Sequence, residues 1–274
     1  KAHTNDDSEK DKSMKSAELK KTASNSEGEQ GKNTTEKLKE RKKESYKIFD
    51  SIAESYDFLN TLLSFGIDSL WRRMLKKHLP QKRDLEVLDL ATGTADVALT
   101  LSCDSRIQHI HGLDLSHEML KKGREKVQRA NLQGIITLDL GDGVDIPAKD
   151  QSFDVVTISF GIRNFSDPQK SLENIYKVLR PGGRLLITEF SHPKRPLIQK
   201  LYFFYFRKLL PKIGNFLSRH PDAYSYLNQS VEDFPYGEDF LQMMRDAGFQ
   251  RERYHELTFG IASLYIAEKD GDER

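Results

Sequence analysis

The stretch that most constrains the fold is EVLDLATGTADVA, residues 86–98. An apolar run ends in the small-residue turn ATGTA at 91–95, and an apolar helical pattern follows, with Asp96 in position to cap it. This order predicts a buried strand, a tight turn and a helix, as in an α/β sheet. Ligands of such sheets bind at the carboxyl ends of the strands, and the missing side chain of Gly93 allows close approach to the backbone. The alternative is an ordinary strand-to-helix turn that binds nothing.

A second acidic residue narrows the class of ligand. The segment IQHIHGLD at 107–114 is typical of the next strand, and its last residue, Asp114, follows Asp89 by 25 positions. A carboxylate there can accept hydrogen bonds from both hydroxyls of a ribose. A dinucleotide needs the G-x-G-x-x-G spacing that lets the backbone reach a pyrophosphate, and this turn has only Gly93. The pattern favours a nucleoside cofactor without phosphates, S-adenosylmethionine; the alternative for Asp114 is a helix cap before Ser116.

The alternation of strand and helix continues along the chain. Strands are predicted at 135–139, 153–160 and 183–190, helices at 116–130, 169–179 and 238–247, and a terminal antiparallel hairpin at 249–257 and 260–268. Together these elements predict a Rossmann-like α/β fold with a seven-stranded, mostly parallel sheet. We expect the helix at 116–130 to expose its basic residues, Lys126 among them, to solvent.

Candidate ligand contacts follow the third and fourth predicted strands. They are Asp142, Gly143, Ser159, Arg163 and Asn164. We expect Asp142 to bind the amino group of an adenine and Gly143 to leave room for its ring, with a plain turn as the alternative because Gly and Asp favour turns. The three residues after the fourth strand lie where a substrate would be expected.

Composition divides the chain of 274 residues into a tail and a single domain. Residues 1–44 contain no Phe, Trp, Tyr, Ile or Val and are rich in charge, which predicts disorder because little apolar surface can be buried. The domain is predicted over 45–274, with a helical lid at 46–79 and an aromatic-rich insertion at 194–234. The net charge of +1 argues against a nucleic-acid partner, and the single cysteine is typical of a reducing compartment.

The aromatic-rich insertion at 194–234 bears on whether the chain contacts a membrane. No stretch of the chain approaches the roughly 20 consecutive apolar residues that span a bilayer. The segment LYFFYFRKLLPKIGNFL at 201–217 interleaves aromatic and basic residues. Such a segment suits a lipid interface or the wall of an apolar pocket, and the alternative is a helical cover packed on the core.

Three separated blocks carry a family resemblance. YDFLNTLLSFGIDSLW, ISFGIRNFSDPQKSLENIYKVLRPGGRLLITEFS and DAYSYLNQS resemble the signatures of the UbiE/MenG quinone C-methyltransferases, which are class I S-adenosylmethionine-dependent enzymes. The resemblance covers about residues 45–268. It implies cofactor contacts at Thr94, Asp114, Asp142, Gly143 and Ser159, to which we add Asp89 and Gly93. The chain departs from the family at Asp68, where many relatives have His, and in a turn with fewer glycines.

The resemblance implies transfer of a methyl group to a ring carbon of a reduced polyprenyl quinone. We expect demethylmenaquinol as the acceptor, with a polyprenyl benzoquinol or another small molecule as alternatives. Arg163 is expected to stabilise a quinolate or to orient a water, because arginine stays protonated and is a poor base. Asn164 is expected to hold that water or the second ring oxygen, and Tyr56 is a third catalytic candidate.

The expected setting is a cytoplasmic protein that contacts a membrane surface, with a homodimer left open and no metal ligand. Three other classes are weighed against this interpretation. A nicotinamide oxidoreductase is disfavoured by the missing glycines and the terminal hairpin. A methyltransferase for RNA or protein is disfavoured by the near-neutral charge and the apolar insertion. A scaffold without catalysis is disfavoured because the expected cofactor positions carry suitable residues.

Overall fold

A computed structural model describes residues 45–53, 61, 64, 66–204 and 229–271 of the chain. Its strands are β1 (Leu85–Leu90), β2 (Ile107–Asp114), β3 (Ile136–Leu140), β4 (Phe153–Ser159), β5 (Leu179–Phe190), β6 (Gln250–Leu257) and β7 (Ala262–Glu268). Its helices are α1 (Ser45–Ile52), α2 (Asp68–Leu75), α3 (Asp96–Leu101), α4 (His117–Arg129), α5 (Pro168–Val178), α6 (Pro196–Phe204) and α7 (Glu238–Asp246). The predicted tail at 1–44, Tyr56 and the segment 205–228 lie outside the described residues.

Within the described residues, the seven strands form one sheet in the order β3-β2-β1-β4-β5-β7-β6. Strands β1 to β5 are parallel to one another, and β7 runs antiparallel to both β5 and β6. The predicted seven-stranded sheet with a terminal antiparallel hairpin is therefore confirmed. The order reverses between β1 and β4, so the carboxyl ends of these two strands flank the crevice where ligands of open α/β sheets bind.

Two apolar cores cover the two faces of the sheet. One face brings Val87, Val155 and Leu186 against Trp71 and Leu75, and all five side chains are buried. The opposite face buries Leu88, Val156, Ile187 and Tyr265 under α5 and α7. Each fully buried side chain of this size contributes roughly 1.5–3 kcal/mol. Because the strands are buried on both faces of the sheet, their sequences are nearly continuous apolar runs.

Short-range signals place the helix ends. Ser116 caps α4 by accepting a hydrogen bond from the backbone N–H of Met119, and Asp167 caps α5 through the N–H of Lys170. The predicted cap at Asp96 is wrong: Ala95 is the residue before α3, it has a left-handed φ of 67°, and Asp96 is the first helical residue. The carboxylate of Asp96 instead pairs with Lys126, 2.7 Å away, so Lys126 does not simply face solvent as predicted.

In the part of the chain that the structure describes, each helix is too short or too polar to cross a bilayer. α6 is nevertheless apolar on its outer side. Its side chains of Leu197, Leu201 and Phe204 are 80%, 71% and 62% exposed, and they recur at the spacing of one helix face.

Candidate active site

A cavity of about 350 Å³ opens at the carboxyl ends of β1, β2, β3 and β4. This volume falls in the range of small-molecule sites. The walls come from the turns that follow these four strands, and Tyr46 and Phe49 of α1 contribute from above. Because parallel strands bring their carboxyl ends to one edge of the sheet, residues far apart in sequence meet here.

The turn after β1 owes its shape to left-handed backbone. Ala91, Gly93 and Ala95 have φ of 51°, 57° and 67°. The N–H of Gly93 donates a 2.8 Å hydrogen bond to Oδ2 of Asp114, which ties the turn to the end of β2. Ala91 and Gly93 line the cavity. The structure thus places Gly93 where the sequence predicts it.

Asp114 lies at the end of β2 and faces the cavity, also as expected. Its carboxylate accepts backbone hydrogen bonds from the N–H groups of Gly93 and Ser116, both at 2.8 Å, and the N–H of Leu115 also contributes. Burial raises the pKa of Asp114, and the nearby carboxylate of Asp50 raises it further. A carboxylate has about four acceptor sites, so the group can still accept a hydrogen bond from a ligand hydroxyl.

Asp89 lies beneath the turn rather than in the cavity wall. It is 1% exposed, and both of its oxygens accept hydroxyl hydrogen bonds at 2.6 Å, from Thr92 and from Thr157. Burial raises the pKa of Asp89 to about 6. The structure therefore corrects the expected direct contact: Asp89 shapes the turn from below by binding Thr92.

The turn after β3 carries Asp142 and Gly143, and both line the cavity. Oδ1 of Asp142 accepts a 2.9 Å hydrogen bond from the N–H of Val144, which fixes the turn. The role expected for Gly143 needs a correction. A Cβ atom at this position would lie 2.4 Å from Cζ of Phe165, so the glycine makes room for the ring of Phe165 rather than directly for a ligand.

Two predicted cofactor contacts have side chains that do not line the cavity. Thr94 is buried, and its Oγ1 accepts a 2.9 Å hydrogen bond from Nζ of Lys126. Ser159 ends β4, and its Oγ is buried with no hydrogen-bond partner among the described residues. The hydroxyl of Thr94 therefore stabilises the packing of α4, and that of Ser159 lies in the sheet near the site.

The turn at Ile162–Asn164 places the two predicted catalytic residues, Arg163 and Asn164, in different surroundings. Asn164 lines the cavity. The Arg163 side chain is only 4% exposed, and its Nη1 lies 2.8 Å from Oε1 of Glu189. The same Nη1 donates to the carbonyl of Phe160, and the guanidinium lies over the ring of Phe190. Arg163 is thus neutralised by a buried carboxylate and does not line the cavity, which corrects its expected direct contact with a substrate.

Sequence reasoning missed most of the apolar lining. Leu115, Met119, Phe160 and Phe165 line the cavity beside the polar groups. These residues look like ordinary core positions in the sequence. The local signals were that Leu115 directly follows the predicted strand at 107–114 and that Phe160 ends the predicted strand at 153–160. Aromatic and aliphatic side chains beside Asp114 and Asp142 form a site that can hold an aromatic base and a ribose. The residues present therefore fit an adenine nucleoside.

A comparison with protein families matches most of the chain. The model of the ubiE/COQ5 methyltransferase family matches residues 35–269. The Ubiquinone/menaquinone biosynthesis C-methyltransferase UbiE of Geotalea daltonii is 44% identical over 234 residues, which cover 85% of this chain and 99% of the relative. The Demethylmenaquinone methyltransferase of Bacteroides fragilis is 39% identical over 222 residues, covering 81% of this chain and 91% of the relative.

Solved structures support the same architecture. A SAM-dependent methyltransferase from Thermotoga maritima aligns with a TM-score of 0.58 at 20% identity, covering 82% of this chain and 99% of that chain. Phosphoethanolamine N-methyltransferase 2 of Haemonchus contortus, in complex with S-adenosyl-L-methionine, aligns with a TM-score of 0.55 at 19% identity. That alignment covers 74% of this chain and 52% of the other. At these identities the similarity shows the fold.

Proposed function

Because the chain belongs to the ubiE/COQ5 methyltransferase family, we propose that it methylates a ring carbon of a reduced polyprenyl quinone, with demethylmenaquinol as the acceptor. The chain is a methyltransferase, and S-adenosyl-L-methionine is its methyl donor. The observation that carries the choice of acceptor is the 39% identity, over 81% of this chain, to a relative named for demethylmenaquinone. The alternative is a benzoquinol, since other relatives carry both quinone names.

The cavity supplies suitable groups for the donor. Asp114 would accept a hydrogen bond from a ribose hydroxyl, and Asp142 would accept one from the amino group of the adenine. Met119 and Phe165 offer apolar surface to the ring. The bound donor supplies an electrophilic methyl group on a sulfonium, and the protein contributes orientation and electrostatics.

The acceptor reacts through a ring carbon beside a hydroxyl. Loss of that proton would make the carbon nucleophilic toward the methyl group of the donor. As the carbon–carbon bond forms, the methyl–sulfur bond would break and leave its electron pair on sulfur, which becomes a neutral thioether. The ring hydrogen would then leave as a proton, which restores the aromatic ring. Holding the two partners in line can supply up to roughly 7–11 kcal/mol of the barrier. We assign Asn164, which lines the cavity, to a ring oxygen or to a water beside it.

Arg163 serves this site indirectly in our proposal. Its ion pair with Glu189 and its hydrogen bond to the carbonyl of Phe160 stabilise the turn that carries Asn164. Arg163 is thus a positioning residue, and the neutralising carboxylate leaves little positive charge for a quinolate. Tyr56 stays a catalytic candidate from the sequence.

The polyprenyl tail of the acceptor needs apolar surroundings. The exposed face of α6, formed by Leu197, Leu201 and Phe204, suits contact with a lipid surface that holds such a tail. Lys200 of the same helix is exposed and would attract anionic headgroups. We therefore propose that α6 brings the cavity to the membrane surface.

The deciding experiment is methyl transfer from S-adenosyl-L-methionine to chemically reduced, short-chain demethylmenaquinone, with product mass as the readout. A benzoquinol precursor of equal prenyl length is run in parallel. A gain of one methyl group on the naphthoquinol at the higher rate supports the proposal. Faster methylation of the benzoquinol would show that the benzoquinol, and not demethylmenaquinol, is the preferred acceptor. No product on either ring, with the donor bound, would overturn the quinol assignment altogether.

A further inference from the structure

The carboxylate of Asp50 joins α1 to the start of α4. Oδ1 of Asp50 accepts a hydrogen bond from Oγ of Ser116 at 2.5 Å and another from the N–H of Glu118 at 3.2 Å. The two donors belong to the N-terminal turn of α4, so a side chain from a distant helix completes the cap of this helix. A carboxylate is favoured there because the first N–H groups of a helix lack partners within the helix and carry partial positive charge.

Ser116 joins Asp50 to the cavity. It is fully buried, its hydroxyl contacts Asp50, and its backbone N–H donates to Oδ1 of Asp114. The hydroxyl also accepts from the N–H of Met119, which lines the cavity. One residue of α4 thus contacts both the lid carboxylate and the carboxylate assigned to the ribose.

The contact between Asp50 and Ser116 positions two aromatic residues of α1. Tyr46 and Phe49 lie in the same helix, one turn and one residue before Asp50, and both line the cavity. α1 is only eight residues long, and a helix of this length is marginal without tertiary contacts. The place of these two rings over the cavity therefore depends on the contact between α1 and α4.

We propose that Asp50 is a positioning residue that latches α1 over the bound methyl donor through Ser116. This inference rests on the proposed function for the identity of the ligand, whereas the latch itself rests on the contacts between α1 and α4. The latch couples closure of α1 to the occupancy of Asp114, because a shift of Ser116 changes the hydrogen bonds of both carboxylates.

The test compares Asp50→Ala, which removes the acceptor, with Asp50→Asn, which keeps an acceptor oxygen and removes the charge. Lys47→Ala, an exposed change on the same helix, is the matched control. Calorimetric titration with S-adenosyl-L-homocysteine gives the Kd. We expect Asp50→Ala to raise the Kd about 10-fold, a typical coupling between two sites. The Kd of Asp50→Asn should stay within about 3-fold of the wild-type Kd because the amide oxygen can still accept the hydrogen bonds. The Kd of Lys47→Ala should stay within the same range because Asp50 is unchanged.

A second readout needs no ligand and no activity. Amide hydrogen exchange of residues 45–53, measured by mass spectrometry on the free protein, should be faster in Asp50→Ala and unchanged in Lys47→Ala. Addition of S-adenosyl-L-homocysteine should slow this exchange in the wild type and much less in Asp50→Ala. Equal exchange and equal Kd in Asp50→Ala and wild type would overturn the latch. Failure of the wild type to bind the probe would count against the proposed function instead, and the exchange of the free protein would still decide the latch.

Discussion

Arg163 and Glu189 form an ion pair 2.8 Å long whose side chains are 4% and 1% exposed, directly behind the turn that carries Asn164. Two charges this deeply buried stabilise each other only as a pair, since either one alone has lost its hydration. The carbonyl of Phe160 and the hydroxyl of Ser230 accept further hydrogen bonds from the guanidinium. The pair therefore governs the geometry at the carboxyl ends of β4 and β5.

Removing one partner of this pair should be far more costly than removing both. We expect Arg163→Ala to lower the free energy of unfolding by about 3–5 kcal/mol, because Glu189 is left charged and unpaired. The double variant Arg163→Met, Glu189→Leu should recover most of that loss, since apolar side chains of similar size replace both charges. Urea denaturation monitored by circular dichroism gives the values. A loss below about 1 kcal/mol in Arg163→Ala would contradict the buried-pair interpretation.

The buried carboxyl group of Asp89 should make the free energy of unfolding depend on pH. Burial raises its pKa to about 6 in the folded chain, against about 3.9 in an unfolded one. Between these values the folded state binds the proton that the unfolded state releases, so stability falls as pH rises from about 4 to 6. The full cost, about 3 kcal/mol, is present above pH 6.

The variant Asp89→Asn removes this titration. Relative to the wild type, its free energy of unfolding should rise by about 2 kcal/mol between pH 4 and pH 7, whatever its absolute value at pH 4. Glu173→Gln, an exposed change on α5, is the control and should show no such trend. Parallel curves for Asp89→Asn and wild type across this range would show that Asp89 titrates normally.

The left-handed turn predicts a stabilising substitution. Ala91 has a φ of 51°, a conformation that costs a residue with a side chain roughly 1–2 kcal/mol. Glycine avoids this strain but loses more entropy on folding, so Ala91→Gly should stabilise the chain by about 0.5–1 kcal/mol. Ala98→Gly, in the middle of α3, should instead destabilise by at least about 1 kcal/mol. Thermal unfolding distinguishes them, and destabilisation by Ala91→Gly would refute the strain.

Gly143 and Phe165 should behave as a coupled pair in ligand binding. Gly143→Ala places a Cβ atom 2.4 Å from Cζ of Phe165, so the phenyl ring has to move. Because Phe165 lines the cavity, this movement changes the wall that the ligand contacts. We expect the Kd for S-adenosyl-L-methionine to rise about 10-fold, equivalent to about 1.4 kcal/mol. Adding Phe165→Val relieves the contact and should bring the double variant close to Phe165→Val alone. Unaltered binding by Gly143→Ala would mean that the ring moves away from the ligand.

The exposed face of α6 should govern contact with lipid. Changing both Leu197 and Leu201 to Ser removes apolar surface that a bilayer would cover, and each buried leucine is worth roughly 1.5–3 kcal/mol. Co-sedimentation with vesicles of phosphatidylglycerol and phosphatidylethanolamine should fall about 10-fold even if burial is partial. Leu140→Ser, exposed at the end of β3, is the control and should bind as the wild type does. Equal binding by all three proteins would rule out α6 as the lipid contact.

The sequence by itself determined the elements and the position of the site. Apolar periodicity placed the strands within a few residues, because burial on both faces of a parallel sheet demands continuous apolar runs. The turn at 91–95 was predictable because turns depend on neighbours only a few residues away, although the helix cap predicted at Asp96 was wrong. Asp114, Asp142 and Asn164 were found as cavity residues because they follow strands whose carboxyl ends meet at one edge.

Only the tertiary structure decided what the remaining polar residues contact. Arg163 and Glu189 are 26 positions apart, and Asp50 and Ser116 are 66 apart. Nothing in the local pattern distinguishes a buried arginine that meets a carboxylate from one that faces a substrate. The same holds for Asp89, whose two hydroxyl donors turn it into a support for the turn. Burial makes a charge or hydroxyl depend on its partners, and folding brings those partners together from distant parts of the chain.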